Sequence, residues 1–136
     1  MLINDIYAKL SFGETEMIEE LSDLVARDPC DIIFFLQTPT RKDLWHSEAS
    51  VIVRQDDSII ERYIMNLLDW LFDLNWPGAD LLYDRIVKMP ANSKIDRAIT
   101  ETIAYASKCA EFNMYYNRWI HVLESLQNDR KMYNKK

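Results

Sequence analysis

Glycine is nearly absent from this chain: Gly13 and Gly78 are the only two in 136 residues. That excludes a Gly-rich phosphate loop, which needs small residues so that backbone amides can close on an anion. Asn-Gly and Asp-Gly pairs are missing as well, and with them the tight turns that join antiparallel strands. Cysteine is limited to Cys30 and Cys109, whose separation fits no zinc or redox motif. Both are expected to be buried free thiols in a reducing compartment. Histidine also occurs only twice, as His46 and His121, and neither belongs to a His-x-x-x-His or Glu-x-x-His arrangement; no metal site and no cofactor are expected. No apolar run approaches the roughly 20 residues of a membrane span. The first ten residues carry Asp5 and no basic leader region, so a signal peptide is not expected. These absences point to a cytoplasmic protein.

What the chain does hold is apolar residues, 49% of the total, enough for one domain with a substantial core. Acid outweighs base, 22 residues against 16. Four of the cations, Arg130, Lys131, Lys135 and Lys136, sit at the end, so residues 1–129 carry a net charge of −10. A field of that sign repels nucleic acid and draws basic partners. The basic segment 130–136 is expected to fray beyond a single domain over 1–129.

The apolar residues recur at helical spacing. Leu2, Ile3, Ile6, Tyr7 and Leu10 form a first stripe ended at Ser11-Phe12-Gly13; Met17, Ile18, Leu21, Leu24 and Val25 form a second, stopped by Asp28-Pro29. Asp28 can cap a short helix through Ile32, Ile33 and Leu36, before a loop at Thr38-Pro39-Thr40. Leu44, Trp45, Ala49, Ile52 and Val53 make a fourth face, and Ile59, Ile60, Tyr63, Ile64, Leu67, Leu68 and Leu71 the strongest one. A sixth helix runs from Pro77 to Met89-Pro90, and a seventh starts at Asn92 or Ser93 and carries Ile95, Ala98, Ile99, Thr102, Ile103 and Ala106. The eighth carries Phe112, Tyr115, Tyr116, Trp119, Val122, Leu123 and Leu126. Such helices on short links predict an all-α fold, an irregular HEAT-like stack of antiparallel helical hairpins.

The sharpest local signal is the corner between the fifth and sixth helices. Pro77 lacks an amide hydrogen and suits a first helical turn. Asp73 and Asn75 can accept from that helix's unpaired amides, and Trp76 can wedge between the helices. Lys42-Asp43-Leu44-Trp45-His46-Ser47-Glu48-Ala49, followed by Leu68-Asp69-Trp70-Leu71-Phe72-Asp73-Leu74-Asn75-Trp76-Pro77-Gly78-Ala79, resembles a bacterial family catalogued as a domain of unknown function. Its members carry a Trp-x-x-Ala-type helix and then a Trp-Leu-x-Asp-x-Asn-Trp-Pro string. The resemblance covers about residues 40–125, and Ser47 and Glu48 depart from the small or amide residues more usual there. It implies a HEAT-like helical fold and transfers no catalytic residue.

Candidate chemistry is sparse. His46 with Asp69 or Asp73 is the one set that could serve a small hydrolase or transferase, given a shared pocket and divergent pKa values. Ser47 and Ser50 lie in no nucleophile elbow. Arg41-Lys42 and Lys94 with Arg97 are isolated basic pairs, not a nucleic-acid stripe. The aromatic residues are more telling. Trp45, Trp70, Trp76 and Trp119 are expected in the core or at the corner, with Trp70 the one nearest the surface. Tyr105, Phe112, Tyr115, Tyr116 and Trp119 crowd the last two helices, and adjacent Tyr115 and Tyr116 cannot both face inward on one helix. Exposed tyrosine and tryptophan beside acid suit a binding face. The chain therefore reads as a non-enzymatic module that binds a basic protein through Tyr115, Tyr116, Trp70 and Asp69. By analogy with small acidic helical proteins, the specific form of that reading is an immunity protein that neutralises a basic toxin.

Overall fold

The computed structural model describes residues 3–12 and 14–135. Among them all regular structure is helical, with no strand. The α-helices are α1 (Ile3–Phe12), α2 (Thr15–Arg27), α3 (Trp45–Ile52), α4 (Asp57–Arg62), α5 (Ile64–Trp70), α6 (Ala79–Val87), α7 (Ser93–Ala110) and α8 (Tyr116–Asn134), with 3-10 segments at Pro29–Phe35 and Lys42–Leu44. This is the all-α stack of hairpins that the periodicity predicts. α1 packs on α2, α2 on α3, α3 on α6, α5 on α7 and α6 on α8, and α7 with α8 is the most extensive pairing. The roles expected for Leu2, the Ile3 side chain, Gly13 and Lys136 lie outside the described residues.

Burial follows the stripes. In α2, Ile18, Leu21 and Val25 are buried while Glu16, Glu19, Glu20 and Asp23 face out. The five apolar residues of the strongest stripe from Ile59 to Leu68 enter the core, but in two helices. The break is at Tyr63, whose amide is shared between the carbonyls of Ile59 (3.4 Å) and Ile60 (3.2 Å). That sharing tightens the turn, and the helix restarts at Ile64. Asn92 does cap α7: its Oδ1 accepts from the amides of Lys94 (2.8 Å) and Ile95 (3.3 Å), and its Nδ2 donates to Glu61 Oε2 at 2.6 Å, tying α7 to α4.

Several local expectations are corrected. The third segment is 3-10, Asp28 makes no side-chain cap bond, and Ile33 points outward. Pro77 does not open α6; the helix starts at Ala79 behind Gly78, whose φ is +84°. Asp73 Oδ1 accepts from the Asn75 amide (2.8 Å), so it shapes the corner itself, and Asn75 is exposed. Phe112 and Tyr115 precede α8. The chain does not fray at residue 130 either, because α8 runs to Asn134 and Arg130 is buried at 2% exposure. Both cysteines are free, but Cys30 is exposed and Cys109 only half-buried.

Two arginines close helix ends from the neighbouring hairpin. Arg130 donates through Nη1 to the carbonyls of Ile86 (2.7 Å) and Met89 (3.2 Å) and through Nη2 to that of Pro90 (3.3 Å), at the end of α6. Its Nε reaches Asp96 at 2.9 Å. Arg85 does the same beyond α3, donating to the carbonyls of Val53 (3.1 Å) and Gln55 (2.9 Å) and to Asp57 (2.6 Å). Both bring donors to carbonyls at and just beyond a helix C-terminus, where few internal partners remain; the Ile86 carbonyl also accepts from the Met89 amide at 3.2 Å.

Candidate functional site

A chain of aromatic rings runs through the molecule to one surface. Trp45 of α3 meets Trp70 edge-on (centroids 6.2 Å apart) and Trp76 likewise (5.6 Å). Phe72 stacks on Trp76 (5.8 Å) and turns its other contacts to Tyr116 (5.3 Å) and Trp119 (5.5 Å). Tyr105 of α7 meets Trp119 edge-on at 6.5 Å. Edge and offset contacts of this kind each add roughly 0.5–1.5 kcal/mol beyond burial. Three indole N–H groups find backbone acceptors at 3.0 Å: Trp45 on Thr38, Trp70 on Pro77 and Trp119 on Leu68. Trp70 is fully buried, which removes it from the expected binding face. Its indole instead anchors the corner that the sequence singles out, and Trp76 wedges there as expected.

The rings emerge where α7 turns into α8. The Asn113 amide donates to the Cys109 carbonyl (2.9 Å), and Asn113 Oδ1 accepts from the Tyr115 amide (3.0 Å). This small turn projects three large side chains into solvent: Phe112 is 91% exposed, Met114 75% and Tyr115 74%. Tyr116 is half-buried against Phe72 and Trp119. Three large apolar side chains within four residues thus stand in water on a turn held by its own hydrogen bonds.

Beside it, between α5 and α7, lies a groove of about 310 Å³ lined by Met65, Asp69, Glu101, Thr102, Tyr105 and Trp119. Burial pushes the Asp69 carboxyl above its ordinary pKa. The Tyr105 hydroxyl is raised too, chiefly by its hydrogen bond with Cys109, with Tyr116 and Asp69 acting on it as well. Asp69, Tyr105 and Tyr116 thus belong to one neighbourhood, with Tyr115 next along the chain. A second cavity, about 340 Å³, lies between α7 and α8 and is lined by Asp96, Gln127, Arg130 and Lys131 among others; the Arg130 guanidinium there is committed to its carbonyls.

One buried acid escaped the sequence reading. Glu48 of α3 has no exposed surface. It accepts from the Thr38 amide (3.2 Å) and shares a short hydrogen bond with the Thr38 hydroxyl, which also lies 3.3 Å from the Phe34 carbonyl. Thr38 stands between Gln37 and Thr40, both with left-handed backbone (φ 49° and 63°), a conformation that non-glycine residues hold only when their surroundings enforce it. Burial pushes the Glu48 carboxyl up to about 7, against the lowering effect of Thr38 and Arg41. The acid and the Trp45 indole together fasten the loop to α3. Its signal was position: Leu44, Glu48 and Ile52 fall at i, i+4 and i+8 on one apolar stripe.

The remaining candidates do not gather into a site. His46 and His121 are exposed and Asp73 is half-buried. The groove that holds Asp69 is lined by neither His46 nor Asp73. Ser50 donates its hydroxyl to the His46 carbonyl at 2.9 Å, a bond within the helix. Arg41 pairs with Asp43 (3.1 Å), Lys42 lies over the Trp45 ring and Lys94 pairs with Glu61 (3.7 Å). No group of three or more metal-ligating side chains is found, and no helix is long and apolar enough to cross a membrane, among the described residues. The chain matches no family model, no curated protein and no solved structure.

Proposed function

We propose that this protein is a non-enzymatic interaction module that receives a basic protein on the face made by the Phe112–Tyr115 turn and the adjoining α5–α7 groove. The observation that carries the reading is the juxtaposition of Phe112, Met114 and Tyr115, all exposed, with a groove holding Asp69, Glu101 and Tyr105. Burying a large apolar side chain contributes roughly 1.5–3 kcal/mol, so two or three anchors of this size can hold a partner. The net −10 of residues 1–129 favours a cationic one and speeds its approach. The resemblance to a bacterial family of unknown function and the analogy with immunity proteins are part of this proposal, the specific form being neutralisation of a basic toxin.

A second acidic stretch competes for such a partner. Seven carboxylates and one cation, Arg27, fall between Glu14 and Asp31, and the large apolar groups exposed near it in sequence are Phe12 and Ile33. It has charge without the clustered rings that form binding centres. Catalysis by His46 with Asp69 or Asp73 has less support still, since these residues do not share the groove.

The test is reconstitution with purified components. Proteins held by the immobilised chain at low salt are identified, purified and titrated back. The proposal requires a basic protein that forms a stoichiometric complex and binds faster at low ionic strength. Co-expression should also suppress that protein's toxicity if the immunity form holds. A bound protein that is acidic, or whose association ignores salt, overturns the reading.

A further inference from the structure

We infer that the α5–α7 groove is a pocket for one arginine side chain of the basic partner, received between the carboxylates of Asp69 and Glu101 and against the rings of Tyr105 and Trp119. This rests on the interaction reading above and names the chemistry of the same face.

The groove has the two things an arginine uses. Its first is negative charge without a cation: neither Asp69 nor Glu101 belongs to any of the six ion pairs among the described residues, and both line the groove. Asp69 also has its charged form disfavoured by burial, a cost that an entering cation relieves. The second is an aromatic wall. Tyr105 is 58% exposed and meets Trp119 edge-on, offering a face to a guanidinium, which is planar, weakly hydrated and stacks on rings as ammonium does less well. Met65 adds an apolar side for the aliphatic stem. Thr102 already donates its hydroxyl to the Ala98 carbonyl at 2.7 Å, so the carboxylates are the groups left to orient the ligand. Only two carboxylates line the groove, too few oxygen donors for a bare metal ion, and the flat fork of arginine can engage both.

The probe is N-acetyl-arginine amide, with N-acetyl-citrulline amide as its neutral isostere. Binding is followed on the full chain by NMR, at the Trp119 indole N–H and the Met65 methyl. The arginine compound should shift both signals saturably and the citrulline compound should not. Asp69→Asn with Glu101→Gln should weaken the arginine response at least about tenfold. Tyr105→Leu, which keeps both carboxylates, should weaken it less. Equal responses to the two compounds, an unchanged response in the double variant, or shifts confined to other surfaces would overturn the assignment. If a basic protein binds salt-sensitively while these responses are missing, the pocket fails and the interaction reading stands. If the responses appear but no basic protein binds, the reverse holds.

Discussion

Gly78 lies so close to Ala49 that a Cβ on the glycine would stand 2.5 Å from the Ala49 Cβ and 2.9 Å from the Trp45 carbonyl oxygen. The α5–α6 corner is therefore pressed onto α3 through a position with no side chain, and the left-handed φ of +84° there suits glycine alone. The segments around Trp45–Ala49 and Trp70–Gly78 are thus one packing unit.

Gly78→Ala should cost about 2–5 kcal/mol, combining roughly 1–2 kcal/mol for the left-handed backbone with roughly 1–3 for overpacking. Denaturant unfolding measures it. Ala49→Gly in the same chain should recover only the share due to the Ala49 Cβ, since the Trp45 carbonyl stays in place, so a double-mutant cycle isolates that contact. A Gly78→Ala protein as stable as the parent would show that the corner is not tight.

Glu48 makes stability depend on pH in an uncommon direction. Burial raises its carboxyl in the folded protein from the ordinary 4.5 to about 7. Between those values the folded chain keeps a proton that the unfolded chain has lost. Its contribution is therefore fully present below about 4.5, falls as pH rises towards 7 and is flat above, by at most about 3 kcal/mol. Glu48→Gln mimics the protonated acid. It should match the parent near pH 4 and exceed it in stability at pH 8; equal stability at both would mean that the buried group is not the titrating one.

Arg130→Met should destabilise by about 1–3 kcal/mol, the range for leaving a buried polar group unsatisfied, because the carbonyls of Ile86, Met89 and Pro90 lose the guanidinium as donor. Arg130→Lys should not restore it, since one ammonium cannot reproduce the fork. The Asp96 contact matters little because that side chain is half-exposed. Thermal unfolding of Asp96→Asn beside Arg130→Met separates the two contributions.

Phe112→Ala with Tyr115→Ala should change stability by no more than about 0.5 kcal/mol per site, as for other surface positions. The same pair should weaken the proposed complex by at least tenfold, the loss of about 1.4 kcal/mol. Calorimetry of unfolding and of binding reads both.

Helices were legible because the apolar spacing is regular: Ile18, Leu21 and Val25, or Leu67 and Leu68, could be placed inside from period alone. The positions misread share a cause. Trp70 is three residues from Leu67, Glu48 sits between Leu44 and Ile52, and Arg130 extends the row Trp119, Leu123, Leu126. All three lie on buried stripes, yet from the sequence Trp70 is expected nearest the surface and Arg130 in a frayed tail, and Glu48 is given no place. The break at Tyr63 had no Gly or Pro to announce it, since apolar residues continue across it. Of the expected binding residues, Asp69 and Tyr116 both act on the Tyr105 hydroxyl, while Tyr115 is exposed on the turn before α8. The groove beside them depends on how α5 meets α7, which no local pattern encodes.

Hydrogen–deuterium exchange on the chain bound to the proposed basic protein tests the docking face directly. Protection is expected in α5 around Met65–Asp69, in α7 around Glu101–Tyr105 and across the Phe112–Tyr115 turn. Protection confined to α1 and α2, with those segments unchanged, would contradict the account.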